Sequence, residues 1–536
     1  MKKELIAIIF CFGLILCGNA RPAQAATFIV SNTADSGSGS LRQAILNANA
    51  ATTDDTIEFT SALHGATITL TSEIQIGFGA NHGALTINGP GANRLTIDGG
   101  PGSNRLFQTA GIITFRGLTL QNGGGPSFTD VGSAIRGNFG TIVLDGVIIQ
   151  NNQSNAVYFQ LGSDHQIINS TIANNTAASC AGARADRTSL TIINSTFSGN
   201  SATRTGGALC VVDQATAVIR NSTIAGNNAN SAYDQGGGGI EIDMGTVTLG
   251  NTIVAGNTCP IGPDIQLYSG GIQTTGGNVI GNNSTVSGTF AAGAPNGNGD
   301  KVGVSAQLMP LGNYGGQTLT RALTAASPAI DAGNSDAGTP AADQRGAARS
   351  GMVDAGAFEI NPAQVFTLPP GRVNVAYNYI FTTNSGALVY TLSGGNLPNG
   401  LSLSSNFAPE AVVSLSGTPT FANIFNFAVT TSDGTNSSVA NYALEILPAP
   451  TAASVSIGGR VLLSKDTGLG GARVILTDSQ GNSRTALTSP FGYFQFEEVG
   501  VGEIYVLSVS AKCCHFDSQS INVTEETGEL NFLAIP

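Results

Sequence analysis

Ile192–Asn200 reads IINSTFSGN, and the chain repeats close variants of it: IINSTIANN from Ile167, VIRNSTIAGNN from Val218 and LGNTIVAGN from Leu249. Self-similarity at a steady period decides a fold ahead of any other feature. Aligned on the first Asn of each copy, with Asp145 in the matching place upstream, the anchors fall at Asp145, Asn169, Asn194, Asn221 and Asn251, spaced 24, 25, 27 and 30 residues. Two positions before each anchor stands an apolar residue (Val143, Ile167, Ile192, Ile219, Leu249), and three positions after it another (Ile148, Ile172, Phe197, Ile224, Val254). Inward residues of a strand recur at every second position, so a change of parity at the anchor marks a corner. A second polar column follows six residues after each anchor, at Asn151, Asn175, Asn200, Asn227 and Asn257. Short strands joined by Asn corners describe the coils of a parallel β-helix. Stacked coils set Ile on Ile and Asn on Asn at about 4.8 Å. Asn tolerates left-handed corners, and its amide both donates and accepts along a ladder.

Composition agrees. Gly is 71 of 536 residues and charged residues are 10%, far from the usual quarter. The chain is too long for one ordinary domain. One helix is expected, SLRQAILNANA from Ser40, with Leu41, Ala44, Ile45 and Ala48 on one face behind a Ser cap. At the start of a solenoid it would cover the open end of the first coil.

Residues 1–25 read as a Sec-type signal peptide: Lys2 and Lys3, an apolar run from Leu5 to Cys17, and Ala23-Gln24-Ala25 before the cut. Cys17 follows Leu16 where a lipoprotein signal has a small residue, so lipidation is not expected. The mature chain is therefore expected to be secreted or held at the cell surface, and no other run is long enough to span a bilayer. Removal of Lys2, Lys3, Arg21 and Glu4, a net of +2, takes the formal charge from −12 to −14. That balance argues against nucleic acid and anionic lipid as partners.

Five cysteines remain, Cys180, Cys210, Cys259, Cys513 and Cys514. Their odd number and scatter give no disulfide framework, and adjacent cysteines are poorly placed for a bridge. No CxxC pair or His-rich spacing points to zinc, so neither metal nor other cofactor is expected. His165 takes the place that Leu190, Ala217 and Val247 hold in other coils, which points to a coil corner or a partly buried side chain.

The coil pattern fades after about Gly281. A compact segment of about 300–362 follows, carrying SPAIDAG, ADQRG and VDAGAFE. Its Asp331, Asp343 and Asp354 lack the dense oxygen run of a calcium loop, and are expected to bond to turns and to pair with Arg345 or Arg349. Residues 363–447 alternate as a small antiparallel sandwich, 448–453 form a Pro-containing linker, and 454–536 carry a second sandwich. The expected fold class is thus all-β: a right-handed parallel β-helix over 26–362, then an immunoglobulin-like and a transthyretin-like β-sandwich.

Several stretches resemble known families. TADSGSGSLRQAILNAN, DDTIEF and the INST(I/F) coils resemble secreted bacterial right-handed β-helix proteins of the pectate-lyase-like superfamily. The SPAIDAG, DQRG and DAGAFE run resembles the choice-of-anchor module that ends such helices in bacterial surface proteins. LPNGLSLSS…SLSGTPTFANIFNFAVTTSDG resembles the immunoglobulin-like repeat of bacterial surface proteins, with FAPEAVV where that family has a Thr-Gly turn. GGRVLLSKDTGLGGARVILTDSQGNSRTALTSPFGYFQFEEVGVG resembles the carboxypeptidase regulatory-like domain. These resemblances imply architecture, and none includes a catalytic signature.

Function therefore rests on the outward residues. Aligning the strands through Gly182, Gly207 and Gly239 points Arg184 and Asp186 outward on one coil, Leu209 and Val211 on the next, and Glu241 and Asp243 on the third, with Tyr158 and Gln160 on the coil before. Asp186, Glu241 and Asp243 are the candidate catalytic carboxylates; Tyr158, Gln160 and Arg184 are the candidate substrate-binding residues. Two residues apart on a strand, Glu241 and Asp243 would be separated by about 7 Å, within the span of an inverting acid–base pair. Leu209 and Val211 interrupt the polar stripe, and no His partner stands beside it. The expected role is a surface structural or binding protein, contacting a polysaccharide or cell-surface glycan through the β-helix in adhesion. The alternative is a polysaccharide lyase or glycoside hydrolase working along a β-helix groove. Oligomeric state is left open.

Overall fold

The computed structural model describes residues 25–78, 82–101, 104–124, 131–230, 236–361, 364–382, 388–404, 413–449, 454–464, 467–478, 483–501, 504–512, 514–523 and 527–535. Residues 1–24, which hold all but the last residue of the stretch read from sequence as a signal peptide, most of FAPEAVV, and Cys513 lie outside them.

Each central coil of the β-helix sends a strand to three faces. The first face stacks Val157–Gln160, Ala183–Asp186, Leu209–Val212, Ile240–Asp243 and Ile265–Leu267 in parallel. The second stacks His165–Ile168, Ser189–Ile193, Thr216–Arg220, Gly245–Gly250 and Gly270–Thr274. The long strands Phe107–Arg116 and Ile135–Asp145 serve both faces, the first half of each pairing on one and the second half on the other. The third face runs from Ala66–Thr69 to Lys301–Val302 as a separate ten-stranded sheet. All-parallel pairing with apolar residues inside is what a repeat that cannot bury its own face demands.

The inner columns are continuous. Leu144, Ile167, Ile192, Ile219 and Leu249 stand in register on the second face, and Ile149, Ile172, Phe197, Ile224 and Val254 on the third. All ten are fully buried. Each such side chain contributes about 1.5–3 kcal/mol of hydrophobic stabilisation.

The first coil departs from the expected alignment by one residue. Ile168 is opposite Asp145, so Gly146 holds the corner expected for Asp145, and Leu144 and Ile149 replace Val143 and Ile148 in the core columns. Gly146 has φ +62° and the corner residues Asn169, Asn194, Asn221 and Asn251 have φ between +46° and +51°. The corner demands a left-handed backbone, which Gly supplies as readily as Asn. Likewise Asn152, not Asn151, begins the second polar column.

That second column is the amide ladder. Nδ2 of Asn152 donates to Oδ1 of Asn175, Asn175 to Asn200, Asn200 to Asn227 and Asn227 to Asn257, at 2.9–3.0 Å. At the corners the amides form no such ladder: Asn194 Nδ2 reaches Asn169 Oδ1 only at 3.3 Å and neither amide atom of Asn221 has a partner, while Asn194 and Asn251 donate to Ala342 O and Asn334 O at 2.8 Å.

The helix Leu41–Asn49 buries Leu41, Ala44, Ile45 and Ala48, and Ser40 Oγ accepts from Gln43 N at its start. At the other end, residues 313–360 run along the outside of the third face. Thr171 Oγ1 donates to Leu319 O, Ala357 N donates to Thr223 Oγ1, and Thr196 Oγ1 bonds Gln344 Oε1 at 2.6 Å. Two buried ion pairs set the turns of this segment, Arg345–Asp343 at 2.7 Å and Arg349–Glu359 at 3.0 Å. Asp354 accepts from Asp331 N and Ile360 N. Asp343 and Asp354 are thus taken up by turns and by Arg345, in line with the sequence reading, while Asp331 is exposed and enters through its backbone N–H.

The chain divides into two compact units, the first holding the β-helix and nearly all of the following sandwich, the second the C-terminal sandwich. In the first, Phe381, Tyr390, Phe427 and Tyr442 form the aromatic centre between a five-stranded sheet of mixed pairing and a three-stranded antiparallel sheet, with Tyr442 5.4 Å from Phe381 and 5.7 Å from Phe427. In the second, two four-stranded sheets enclose Ile457, Val461, Val474, Leu476, Phe494, Phe496, Leu507 and Phe532. The described residues contain no helix long and apolar enough to cross a membrane.

Candidate functional site

Alternation on the first face sends one residue of each strand inward and the next outward. The inward set is Val157, Ala183, Leu209 and Ile240, then Phe159, Ala185, Val211 and Ile242, all fully buried. Leu209 and Val211 are therefore core residues, contrary to the sequence alignment. Ala183 stands opposite Leu209, so Gly182 is matched by Ala208 and not by Gly207; the slip of one residue inverts every side chain on that strand. The outward row reads Gln108, Arg136, Tyr158, Arg184, Cys210, Glu241 and Gln266 across seven neighbouring strands. Cys210 is thus a member of the polar row, where an apolar interruption was expected.

Several of these groups are buried rather than displayed. Tyr158 is 5% exposed, Asp186 3% and Glu241 9%, while Arg184, Gln160 and Asp243 are half-buried. Tyr158 lies under Arg184, whose guanidinium carbon is 5.5 Å from the ring centre, so the ring is not open for stacking. Its hydroxyl donates to Asp186 Oδ2 at 2.9 Å. Arg184 Nη2 donates to the same oxygen at 3.1 Å, and Arg187 Nε to Oδ1 at 2.9 Å. Burial would raise the Asp186 carboxyl, but the bonds from Arg187 and Tyr158 and the charge of Arg184 outweigh it and hold the group below the usual range. Burial, together with the Asp186 carboxylate, pushes the Tyr158 phenol up to about 12. Asp186 is hence a permanently ionised anchor that fixes a phenol and two guanidiniums.

Glu241 has the opposite character. Burial lifts it to about 7, with Asp243 adding to the rise and a hydrogen bond from Thr205 opposing it. Its Oε2 lies 3.1 Å from Cys210 Sγ. Cys180 and Cys210 are joined in a disulfide, their Cα atoms 5.4 Å apart. The absence of a bridge inferred from cysteine spacing is therefore wrong for this pair. The 30-residue separation is one coil and a few residues more, which brings the turn before one strand onto the strand of the next coil. A disulfide sulfur has no proton, so a hydrogen on this contact must come from the carboxyl group, which its raised pKa allows. The next strand adds Tyr268, 38% exposed, whose hydroxyl accepts from Gly236 N at 3.0 Å, and Ser269, which donates to Asp243 Oδ1 at 2.9 Å.

His165 lies off this face. It is fully buried, 4.8 Å ring to ring from Phe159. Its Nδ1 accepts from Ile142 N at 3.0 Å, so Nε2 is the protonated nitrogen and donates to Leu161 O at 3.0 Å. Burial holds it below the usual range despite the Leu161 bond. It is a neutral core histidine.

Residues 131–306 match the family described as "Right handed beta helix region", and residues 362–447 the family described as "Putative Ig domain". With the solenoid topology, these define a right-handed β-helix followed by an immunoglobulin-like domain. No curated protein matches the chain. Solved structures similar to parts of it include the Bacillus anthracis TIE protein (17% identity, 33% of this chain and 40% of that one, TM-score 0.15). An endo-fucoidan hydrolase from glycoside hydrolase family 107 is similar over 32% of this chain and 30% of its own, at 14% identity and TM-score 0.14. BcpA, the major pilin subunit of Bacillus cereus, is similar over 31% of this chain and 66% of its own, at 10% identity and TM-score 0.16. The chain thus spans less than half the length of the first two.

Proposed function

We propose that this chain is an exported surface or extracellular protein that binds a polysaccharide or cell-surface glycan along the first face of its β-helix, in an adhesive role. The observation that carries this reading is the Tyr158–Arg184–Asp186 arrangement. Its carboxylate has both oxygens engaged, which removes it from proton transfer but fixes Arg184 on a rigid sheet. Arg184 is 31% exposed and held through Nη2 by Asp186, and its remaining guanidinium N–H groups are the donors that would meet hydroxyl or uronate oxygens. Gln160 and Asp243 supply further polar groups, and Tyr268 takes the stacking role that the sequence assigned to Tyr158. The Cys180–Cys210 bridge is the kind of bond kept in an oxidising compartment, which supports export by the N-terminal signal.

Glu241 near neutrality, two residues from Asp243, is the feature that favours the alternative of a glycan-cleaving enzyme. A glycan array on the mature chain, run beside reducing-end and unsaturated-product assays, separates the two. Binding without turnover supports the present reading. Turnover abolished by Glu241→Gln overturns it, as does the absence of any glycan captured above background.

A further inference from the structure

We propose that Cys180, Cys210 and Glu241 form a redox-gated site for a soft divalent cation of the zinc class, a disulfide clasp when oxidised and a two-thiolate, one-carboxylate ligand set when reduced. One ligand atom from each of the three residues lies within 4.8 Å of the other two. Metal–ligand bonds of about 2.3 Å to sulfur and about 2.0–2.2 Å to carboxylate oxygen require ligand atoms roughly 3.3–3.8 Å apart in a tetrahedron. Glu241 Oε2 is already 3.1 Å from Cys210 Sγ, and parting of the sulfurs on reduction completes the spacing.

The scaffold positions these groups independently of the bridge. Cys210 and Glu241 are register partners on adjacent strands, each flanked by fully buried core residues. Gly206, at φ +65°, leaves the space between them: a Cβ there would overlap Cys210 Sγ and lie 3.0 Å from Glu241 Oε2. One coil further along the same row, Gln266 is 7% exposed and its Oε1 has no hydrogen-bond partner. The row thus continues beyond Glu241 with a buried amide oxygen that has no hydrogen-bond partner. Two thiolates and a carboxylate on a buried surface are the donor set of a borderline-soft ion.

The chemistry balances with a phosphine as reductant. The S–S bond takes two electrons from phosphorus, water supplies the oxygen of the phosphine oxide, and the two sulfurs gain its two protons. Binding of the divalent cation then releases those two protons as both sulfurs become thiolates.

The test uses the mature full-length chain carrying Cys259→Ser, Cys513→Ser and Cys514→Ser, so that thiolate signals report only the proposed pair. After reduction with a phosphine and removal of adventitious metal, cobalt(II) is titrated and the sulfur-to-cobalt charge-transfer band recorded, then zinc is added. One cobalt per chain, a thiolate band erased by zinc, and no binding by the unreduced chain are expected. Glu241→Gln should keep the band but weaken binding at least about tenfold, since even outer partners of metal ligands carry that much. Cys180→Ser should lose the two-thiolate band. A reduced chain that keeps its oxidised circular dichroism but binds no cobalt overturns the proposal. So does equal affinity in Glu241→Gln, or a chain that unfolds on reduction, because the site depends on the coil register surviving without the bridge.

Discussion

Asn257 donates its Nδ2 to Oδ1 of Asp264 across 2.9 Å, and the amide ladder that starts at Asn152 ends there on a carboxylate. Each Asn passes its donor to the next coil, so the last one needs an acceptor with no donor of its own. Asp264 meets that requirement on both oxygens. Its Oδ1 also accepts from Asn257 N, and its Oδ2 from Asn282 N at 2.6 Å.

Asp264→Asn should therefore destabilise the β-helix although it preserves shape and removes a charge. The new amide turns a donor toward Asn257 or Asn282, at a cost of about 1–3 kcal/mol for the buried group left unpaired. Asp264→Ala should cost more, leaving three donors orphaned. Urea unfolding of the two variants checks the order; an unchanged midpoint in Asp264→Asn would mean the ladder does not need an acceptor at its end.

The parity change at the corner gives a matched pair of substitutions. Ile192 is fully buried in the inner column, while Ile193 is half-buried on the outside of the same strand. Ile192→Asp places an unpaired charge in the stack and should cost several kcal/mol, about 4 or more, or abolish folding. Ile193→Asp should cost less than about 1 kcal/mol. Equal losses in thermal unfolding would show that the register assigned here is wrong.

The coils were legible in the sequence because their inner residues repeat with fixed parity about the corner, and that parity is the physical cause of the fold. The first-face strands were legible only in part. Their entry runs AGARAD, GALCVV and GGIEID contain different numbers of Gly and Ala, so aligning on Gly slipped one strand and placed Cys210 in the core. Aligning on the apolar alternation Ala183/Ala185, Leu209/Val211 and Ile240/Ile242 would have kept the register. The Cys180–Cys210 bridge was lost with it, because Cys180 precedes the strand Ala183–Asp186 whereas Cys210 stands within the strand Leu209–Val212, so the two do not hold equivalent places in their coils. Burial of Tyr158 was not legible at all, since it depends on Arg184 from the next coil lying over the ring.

Stability of the oxidised chain should fall as pH rises through neutrality, and Glu241 should account for much of the fall. Its pKa of about 7 lies above the ordinary 4.5. The contribution is then fully present below about pH 4.5 and is lost as pH rises through 7, amounting to about 3 kcal/mol between those limits. Glu241→Gln carries no such proton. The difference in unfolding free energy between Glu241→Gln and the native chain, measured from pH 4 to 8, should grow with pH by about that amount. A difference that stays flat would place Glu241 in water rather than against the disulfide.

Asp186 and Tyr268 separate anchoring from contact on the proposed glycan face. Asp186 holds three donors while 3% exposed, so Asp186→Ala leaves Tyr158 Oη, Arg184 and Arg187 without their acceptor. Stability should drop by about 2–4 kcal/mol, the range for removing one side of a buried charged network. Glycan binding should weaken with it, because Arg184 loses its fixed position. Tyr158→Phe removes one hydroxyl and should cost about 1 kcal/mol with little effect on binding, since the ring is covered. Tyr268→Ala should weaken binding by about 1–2 kcal/mol, the scale of an aromatic contact, with a stability loss of about 1 kcal/mol from the Gly236 N–H left without its acceptor. Denaturation and glycan titration on the same three variants check the assignment. If Tyr268→Ala binds as the native chain does while Tyr158→Phe does not, the contact runs through the buried phenol, and the face must open to admit the ligand.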